Sequence, residues 1–490
     1  MNKVLAISLW LLALGIHPVE AQRVLSLDSC RAMALRNNKQ MSVQRVKQEV
    51  AKNIRKAART KYLPHVSAVG GYVYTSKEVS LLSDDTKDAL SNLGTNSVNH
   101  LQTGLSTAMP VLSTLFGGAA GVTSLMNGMA GTLNQLGEGI IDAFHTDTRH
   151  MFGGSIMVTQ PVFMGGAIIA MNKMADLGEE LAANSADARR QETLYQIDQA
   201  YWQVVSLHHK QKLAEGYLNL VKKLDDDVQK MIREGVATRS EGLSVSVKVN
   251  EAEMAVMKVN DGLTLSKMLL CQLCGLPVDE QVTLEDVLSP LEGDGYKAGV
   301  YEAPTNDYSN RPELKMLQNV VDINHQATNL LKAGHLPQVL LMGGYTATNP
   351  NVYNGFQRKL GGAWNVAVMM RIPIWNWGDV AYKVRAAKGA TTIATLELEE
   401  AREKMELQVN QSNFRVNEAN KKLELALTSQ QRAEENLRTA NLGFQEGVIS
   451  STTVMEAQTA WLQAQSQRID AEIDVQLSRV NLQKSLGTLR

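Results

Sequence analysis

Aromatic side chains are scarce in this chain of 490 residues, where phenylalanine, tryptophan and tyrosine together make up 5%. A large globular core normally uses many of these bulky side chains. Alanine, glutamine, glutamate and leucine, which favour helices, are plentiful instead. The composition therefore argues against a compact globule and indicates long helices that pack through small residues.

Cysteine is also rare, and three residues cannot form a disulfide framework. Cys271 and Cys274 have CxxC spacing, and an oxidising compartment could favour a bridge between them. The pair lies in a helical pattern without a second CxxC or a pair of histidines nearby, which favours apolar packing. Cys30 is expected to make a buried contact as well.

Long apolar runs are absent beyond the first residues, since no later stretch approaches the ~18 apolar residues that a transmembrane helix needs. Transmembrane helices are thereby excluded there, whereas the alternating strands of a β-barrel are not. An excess of charge of one sign is also lacking, because 49 basic and 50 acidic residues leave a net charge of −1. This balance argues against a nucleic-acid-binding protein.

The first residues follow the order of a secretory signal peptide. Lys3 provides a positive charge, an apolar run extends from Val4 to Ile16, and Val19-Glu20-Ala21 offers small residues to a signal peptidase. We therefore expect residues 1–21 to be a cleaved signal peptide and the mature chain to be exported.

One structural plan occurs twice along the chain. The segment PVFMGG at Pro161 recurs as PIWNWG at Pro373, and the Gly-Val pair at Gly235 recurs at Gly447; the differences 373 − 161 and 447 − 235 both equal 212. A second offset, 336 − 63 = 273, relates Leu63-Pro64 to Leu336-Pro337. Constant offsets indicate a duplicated unit, which we place at residues 22–290 and 291–490.

Each copy is predicted to contain a helix, two strands, a long helix and a further helix. Apolar residues that step by three or four positions predict a single opening helix from Leu27 to Tyr62; they are Val43, Val46, Val50, Ile54 and Ala57. Alternating patterns predict strands over about 66–76, 154–163, 338–346 and 363–375. Proline-free stretches predict long helices over about 166–235 and 378–447. The Gly-, Ser-, Asn- and Met-rich residues 76–150 are expected to be a loop insert, parts of which are apolar enough to fold.

These lengths suggest an assembly. A helix of about 69 residues is about 100 Å long, and the two shorter helices of a copy laid end to end match it. Four strands cannot close a barrel alone, whereas three chains would supply twelve, an even number within the range of outer-membrane barrels. The predicted fold class is mainly α with a small transmembrane β-barrel: a trimeric 12-strand barrel and a long α-helical tunnel.

The order of these segments resembles that of the TolC-type outer-membrane efflux proteins. The resemblance is carried by the opening LDSCRAMALRNN from Leu27, its partner NRPEL from Asn310, both Pro-aromatic-Gly segments and both Gly-Val turns. It implies a homotrimer with its barrel in outer-membrane lipid and its helical tunnel crossing the periplasm. It also implies a passive duct, which a periplasmic adaptor joins to an inner-membrane transporter that supplies the energy.

The two Gly-Val turns are the first candidate site. A glycine can end one helix in the left-handed conformation, and a following Thr or Ser can cap the next. The resemblance implies that these turns form the closed periplasmic end and contact the adaptor, while a plain helix hairpin is the simpler alternative. The residues are Gly235, Val236 and Thr238 in copy one and Gly447, Val448 and Ser450 in copy two.

Carboxylates near the turns are the candidate gate, because a threefold axis turns one carboxylate into a ring that can hold cations. The resemblance places two acidic positions of the family on Thr453 and Glu456, of which only Glu456 is acidic here. Copy one offers Glu241 and Ser244 at the related positions. The alternative is that Glu456 and Glu241 are ordinary solvated carboxylates.

Strand is expected to give way to helix at Pro161 and Gly166 and again at Pro373 and Gly378, since proline fixes φ where the chain changes direction. No GxxxxGK phosphate loop, HExxH or GxSxG motif is present, so we expect neither an enzyme nor a cofactor. The sequence thus predicts the outer-membrane channel component of a tripartite efflux or type I secretion-like system. The alternative is a structural periplasmic coiled-coil or adhesive protein without a pore.

Overall fold

The computed structural model of the chain describes residues 23–77, 80, 82–104, 118–145, 147–288 and 307–489. The predicted signal peptide at 1–21 and the predicted boundary between copies at 290 and 291 lie outside the described residues. The chain divides into a helical unit (Met1–Ala58, Ile169–Leu331 and Ala381–Arg490) and a strand unit (Arg59–Ile168 and Lys332–Val380).

Helices dominate the part of the chain that the structure describes, which confirms the predicted mainly helical class. The helices are α1 (Leu27–Asn37), α2 (Lys39–Arg59), α3 (Asp84–Ser91), α4 (Leu93–Gly104), α5 (Ala119–Ala143), α6 (Ala167–Arg233), α7 (Arg239–Cys274), α8 (Glu285–Leu288), α9 (Pro312–Lys332), α10 (Asp379–Gln445) and α11 (Ser451–Ser485). The strands are β1 (Arg23–Leu25), β2 (His65–Tyr74), β3 (His150–Met164), β4 (Val282–Leu284), β5 (Gln338–Asn349) and β6 (Gly361–Arg371). Within the described ranges, none of the helices combines the length and apolar character required to cross a bilayer.

The lengths of equivalent helices match between the copies. Helices α6 and α10 each have 67 residues, which corresponds to about 100 Å at ~1.5 Å per residue. Helices α2 and α9 each have 21 residues. Their first residues, Lys39 and Pro312, are related by the second sequence offset, since 312 − 39 = 273.

The opening helix is not continuous, contrary to the sequence prediction. It breaks at Asn38, whose ψ of 128° is extended, and a short 3-10 turn at Thr60–Tyr62 follows α2. The Asn38 side chain accepts a hydrogen bond from the Gln40 backbone N–H at 2.8 Å and donates one to the Leu273 carbonyl at 3.2 Å. An asparagine side chain that bonds to backbone in this way competes with helical hydrogen bonds and ends the helix.

The helical unit contains an apolar cluster contributed by β1, β4 and helices α1, α6, α7, α8 and α11. Its members include Leu25, Cys30, Ile197, Tyr201, Val205, Leu270, Cys271, Cys274 and Leu284. The three cysteines are free and buried, as the packing interpretation predicts. Burying one large apolar side chain stabilises a fold by roughly 1.5–3 kcal/mol, so this cluster holds the short α1 against α6 and α7.

A buried ion pair lies next to this cluster. Arg31 Nε donates to Asp198 Oδ1 at 2.8 Å and Arg31 Nη2 donates to Asp198 Oδ2 at 2.5 Å, while the Asp198 side chain is fully buried. The hydrogen bond to Asp198 raises the pKa of the Arg31 guanidinium. The two-point contact therefore fixes α1 on α6 in one orientation.

The strand unit contains an antiparallel sheet in the order β2-β3-β5-β6. His65 pairs with Thr159 in the first hairpin, and Gln338 pairs with Arg371 in the second. An irregularity in the pairing of β3 with β5 falls between Pro161 and Phe163. A proline cannot donate a ladder hydrogen bond, which suits it to such a position.

The two faces of this sheet differ in polarity, as the register shows. Strand residues that lie opposite each other share a face. One face carries Tyr72, Phe152, Ile156, Tyr345, Leu341, Trp364, Val366 and Val368. The other face carries the polar residues Ser155, Thr159, Thr346, Asn365 and Arg371 among apolar residues such as Met157, Met342 and Met369. One face is thus largely apolar, with Gln160 near one end of the sheet and His150 and Asn349 near the other, while the second face is mixed.

Two predicted segments differ from the structure. The strand expected over about 363–375 ends at Arg371, because β5 begins opposite it at Gln338 and offers residues 372–375 no partner. The expected loop insert at 76–150 contains α3, α4 and α5. The sequence pattern did not predict these helices because glycine has a low helix propensity. The glycines instead allow close packing, since a Cβ on Gly94 would collide with the Ala130 backbone and a Cβ on Gly137 would collide with the Leu90 backbone.

Candidate functional site at the helix turns

The turn between α6 and α7 ends one helix tightly. Gly235 has φ of 77°, the Gly235 N–H donates to the Ile232 carbonyl at 3.1 Å, and the Val236 N–H donates to the Met231 carbonyl at 2.9 Å. These bonds satisfy carbonyls that the end of α6 leaves open, and the left-handed φ is one that glycine adopts without strain. Gly235 thus has the helix-ending role that the sequence predicts for it.

The turn between α10 and α11 repeats this geometry. Gly447 has φ of 74°, the Gly447 N–H donates to the Phe444 carbonyl at 3.0 Å, and the Val448 N–H donates to the Gly443 carbonyl at 2.8 Å. Each donor and acceptor residue lies 212 positions after its counterpart in the first turn. The duplication therefore extends to individual backbone hydrogen bonds.

The helices that leave the turns are capped differently. Thr238 Oγ1 accepts from the Glu241 N–H at 3.3 Å, while Glu241 Oε2 accepts from the Thr238 N–H at 2.7 Å. This capping box holds the pKa of the Glu241 carboxyl below its ordinary value of 4.5, mainly through the bond from the Thr238 backbone N–H. In the second turn Ser450 Oγ accepts from the Thr453 N–H at 3.3 Å, and the residue at the position of Glu241 is Thr453, which has no carboxylate to complete the box.

The four candidate gate residues therefore have different surroundings. Glu241 is engaged in its own turn, and Ser244 Oγ donates to the Ser240 carbonyl at 3.1 Å. Glu456 and Thr453 are exposed, and Thr453 Oγ1 lies 3.2 Å from Ser450 Oγ. Glu456 lies six residues after the capping residue Ser450, which is more than one helical turn. The Glu241 carboxylate, in contrast, already accepts two hydrogen bonds from Thr238.

The two turns share one apolar cluster within the helical unit. Its buried members are Leu224, Val228, Val245, Leu437, Ala440, Val454 and Ala457. Ile232 and Ile449 at the turns themselves pack against it. The two hairpins are therefore held side by side by packing.

Apolar side chains are left uncovered at both turns. Val236 is 69% exposed and Val448, its counterpart, is 81% exposed. Leu243 and Val247, one helical turn apart on α7, are also exposed. A largely exposed valine at each helix turn is a candidate contact for another protein.

The strand–helix junctions, which lie in the strand unit, contain a position that the sequence prediction missed. Gly166 and Gly378 have the positive φ values, 86° and 82°, that suit a change of direction. The residue before each also has positive φ: Gly165 at 61° and Trp377 at 54°. A Cβ on Gly165 would lie 2.8 Å from the Ala333 carbonyl oxygen, so copy one requires glycine there, whereas Trp377 in copy two is exposed. The Gly165-Gly166 and Trp377-Gly378 dipeptides were the sequence signal for two successive residues with positive φ.

The chemistry of the described residues is that of packing and capping. Among them, no group of three or more His, Cys, Asp or Glu side chains is arranged to hold a metal ion. His208 and His209 on α6 have lowered pKa values, because burial disfavours their charged forms.

Comparison with known families gives a match in the second copy. Residues 306–488 match the model of the family described as outer membrane efflux protein. Over 171 residues the chain is 25% identical to outer membrane protein TolC of Vibrio cholerae. That match covers 34% of this chain and only 39% of the length of the relative.

Solved structures with the same fold cover nearly the whole chain. A structure of CusC has a TM-score of 0.71 at 13% identity and covers 94% of this chain and 91% of its own. The outer membrane protein VceC of Vibrio cholerae has a TM-score of 0.70 at 13% identity, with 94% and 96% covered. The open state of the MtrE outer membrane channel of Neisseria gonorrhoeae has a TM-score of 0.69 at 14% identity, with 95% and 89% covered. At these identities the likeness shows the fold.

Proposed function

We propose, from the premise that this chain belongs to the TolC-type outer-membrane efflux protein family, that it is the outer-membrane channel component of a tripartite efflux or type I secretion-like system. Three copies form a passive conduit. Their strand units close a 12-strand barrel in outer-membrane lipid, and their helical units form a tunnel in the periplasm. A periplasmic adaptor and an inner-membrane transporter complete the system.

The observation that carries this proposal is the largely apolar face of the four-stranded sheet, whose polar residues lie near the strand ends. Trp364, Val366 and Val368 alternate along β6 and are 77%, 65% and 67% exposed. A face this apolar is unfavourable in water but suits lipid, and the mixed opposite face suits an aqueous lumen. The aromatic residues Tyr72, Phe152, Tyr345 and Trp364 on that face fit a membrane–water interface.

A second feature, in the helical unit, supports assembly from several copies. Val43, Val46, Val50 and Ile54 form a stripe along α2 and are 51–58% exposed. A stripe with steps of three and four residues is the contact surface of a helix that packs lengthwise on another. A neighbouring copy would remove this stripe from water.

We assign gating to the turns and adaptor binding to their exposed valines, Val236 and Val448. Glu456 is the preferred gate residue, because it is exposed near a turn and Glu241 is engaged by Thr238. Three copies of Glu456 around one axis would form the carboxylate ring.

The test is ion conductance of the purified protein in planar bilayers. With Glu456→Cys, we expect conductance that falls on oxidation with copper phenanthroline and returns on reduction, because disulfides between copies hold the turns together. Glu399→Cys, an exposed glutamate of α10 well away from the turn, is the control and should conduct before and after oxidation.

Two outcomes contradict different parts of the proposal. Absence of both conductance and detergent-stable membrane trimers from the unsubstituted protein would contradict a channel and favour a periplasmic spacer, whereas membrane trimers without conductance would indicate a closed gate. Conductance that oxidised Glu456→Cys leaves unchanged would remove Glu456 from the gate. The native cysteines are buried and free, so the unsubstituted protein also shows whether the oxidant acts on them.

A further inference from the structure

The two outer strands of the sheet each have an edge without a neighbouring strand among the described residues. Strand β2 pairs there only with β3, and β6 pairs only with β5. All ten residues of β2 are exposed, whereas most residues of the inner strand β5 are partly covered. An open edge of this length exposes unpaired N–H and C=O groups and readily binds a further strand.

The internal duplication preserves strand register. His65 pairs with Thr159, and Gln338 pairs with Arg371; the first partners differ by 338 − 65 = 273 and the second by 371 − 159 = 212. The far ends agree, because Val73 pairs with Met151 and Thr346 pairs with Ala363, and these positions differ by the same two offsets. Adding 273 to a β2 residue and 212 to its β3 partner therefore gives the equivalent pair of β5 and β6.

The contact between β3 and β5 joins the second strand of copy one to the first strand of copy two. Its equivalent would join the second strand of copy two, β6, to the first strand of another copy one, which is β2 of a second chain. We propose that β6 pairs antiparallel with β2 of a partner subunit in the register of β3 with β5. This inference rests on the proposed trimer and specifies which residues meet.

The offsets give the contacts residue by residue. Ile156 pairs with Tyr345, which places Val368 (156 + 212) opposite Tyr72 of the partner subunit (345 − 273). Gly154 pairs with Ala347, which places Val366 opposite Tyr74 of the partner subunit.

The polarity of the faces supports this register independently. It places Val366 and Val368 beside the two tyrosines, on the apolar face, and leaves Arg371 on the mixed face. A slip of one residue would bring every side chain of β6 to the wrong face. A slip of two residues leaves every β6 side chain on the same face, so the cross-linking experiment below distinguishes it from the proposed register.

Trp375, just after β6, also gains a partner in this arrangement. It is 75% exposed. In copy one the residue equivalent to Trp375 is Phe163, which is paired with Val339 beyond the irregularity at Pro161. The offsets place Trp375 opposite Val66 of the partner subunit, so the strand would extend to the length that the sequence predicts.

A glycine marks the space where the partner strand would lie. A Cβ on Gly344, in the inner strand β5, would lie 2.5 Å from the Ile156 carbonyl oxygen. The equivalent glycine of β2 is Gly71 (344 − 273), and a Cβ there would meet nothing within 4 Å. The atoms that crowd Gly344 come from β3, and the equivalent atoms for Gly71 would come from β6 of the partner subunit.

Cysteine pairs test the register in the full-length protein. Val366→Cys is combined with Tyr74→Cys, the proposed partner position, or with Tyr72→Cys or Ser76→Cys, which represent slips of two residues. Oxidation of the first pair should cross-link subunits with a yield roughly tenfold above the other two, because a slip of two separates the Cα atoms by about 7–8 Å, beyond disulfide reach. Mass photometry before oxidation reports separately whether trimers form.

The outcomes separate this inference from the proposed function. Trimers in which the Tyr72→Cys or Ser76→Cys pair cross-links best would overturn the register and leave the channel proposal intact. Trimers without cross-links in any pair would overturn the contact between β6 and β2. Absence of trimers for the unsubstituted protein would overturn the proposed function itself.

Discussion

At the scale of single residues, the ion pair between Arg31 and Asp198 is unequal. The Asp198 side chain is fully buried, whereas Arg31 is 21% exposed and also lies 3.6 Å from Asp28. Arg31→Met leaves a buried carboxylate without its partner and should lower the free energy of unfolding by about 3–5 kcal/mol. Asp198→Asn should cost less, because Arg31 keeps Asp28 and water. Thermal unfolding of both variants measures the difference, and equal losses would contradict this asymmetry.

Glu241 gives its turn a titratable cap, whereas the second turn has Thr453 at the equivalent position. The pKa of Glu241 is lowered by the Thr238 N–H, so the folded state binds the proton less tightly than the unfolded state. The stabilisation is present above the ordinary value of 4.5 and is lost as pH falls through the lowered value.

Hydrogen exchange of the segment around residues 235–243 tests this dependence. Each measurement is referred to Glu241→Gln, which keeps the acceptor but cannot titrate. The unsubstituted turn should lose protection relative to that variant only at acid pH. The turn at residues 447–455 is the internal control, and its protection should not depend on Glu241.

At the scale of elements, the unequal connections within the two hairpins can be exchanged. Thr75 and Arg149 are equivalent to Thr348 and Gly361, so residues 76–148 correspond to residues 349–360. Replacing the first segment by the second should leave the register of β2 with β3 unchanged, because both hairpins already share it. A disulfide between Val73→Cys and Met151→Cys, a directly opposite pair, reports that register, and its failure to form in the shortened chain would contradict the prediction.

The sequence predicts elements well where local signals decide them. It locates the long helices α6 and α10 closely, because glycine turns and proline-free runs are local features. It does not predict the break at Asn38, since one of the two hydrogen bonds that hold this side chain goes to the Leu273 carbonyl, which is distant in sequence. It expects parts of the insert at 76–150 to fold but does not assign helix α5, because the glycines there have low helix propensity and are explained only by packing. The capping role of Glu241 was recognised only from the structure, although the Thr-x-x-Glu spacing is the sequence signal of a capping box. This role makes Glu241 a weaker gate candidate.

At the scale of the whole molecule, two adjacent glycines should respond differently to substitution. A Cβ on Gly71 would collide with the partner strand, by analogy with Gly344, whereas Gly343, the equivalent of Gly70, would have its nearest neighbour at 3.5 Å. Gly71→Ala should therefore weaken subunit association by about 1–3 kcal/mol and leave the separate chain folded, while Gly70→Ala should assemble normally. Mass photometry against protein concentration measures both, and equal assembly would contradict the proposed strand contact.

The difference in length between the two hairpin connections, the long one at 76–148 and the short one at 349–360, has a consequence for the proposed trimer. Around such a ring, bulky helical connections would alternate with short ones, three of each. The strands of the barrel would be nearly sixfold symmetric, whereas the ring of hairpin connections at their ends would have only threefold symmetry. A phage or antibody that approached from outside the cell would meet three lobes separated by three gaps.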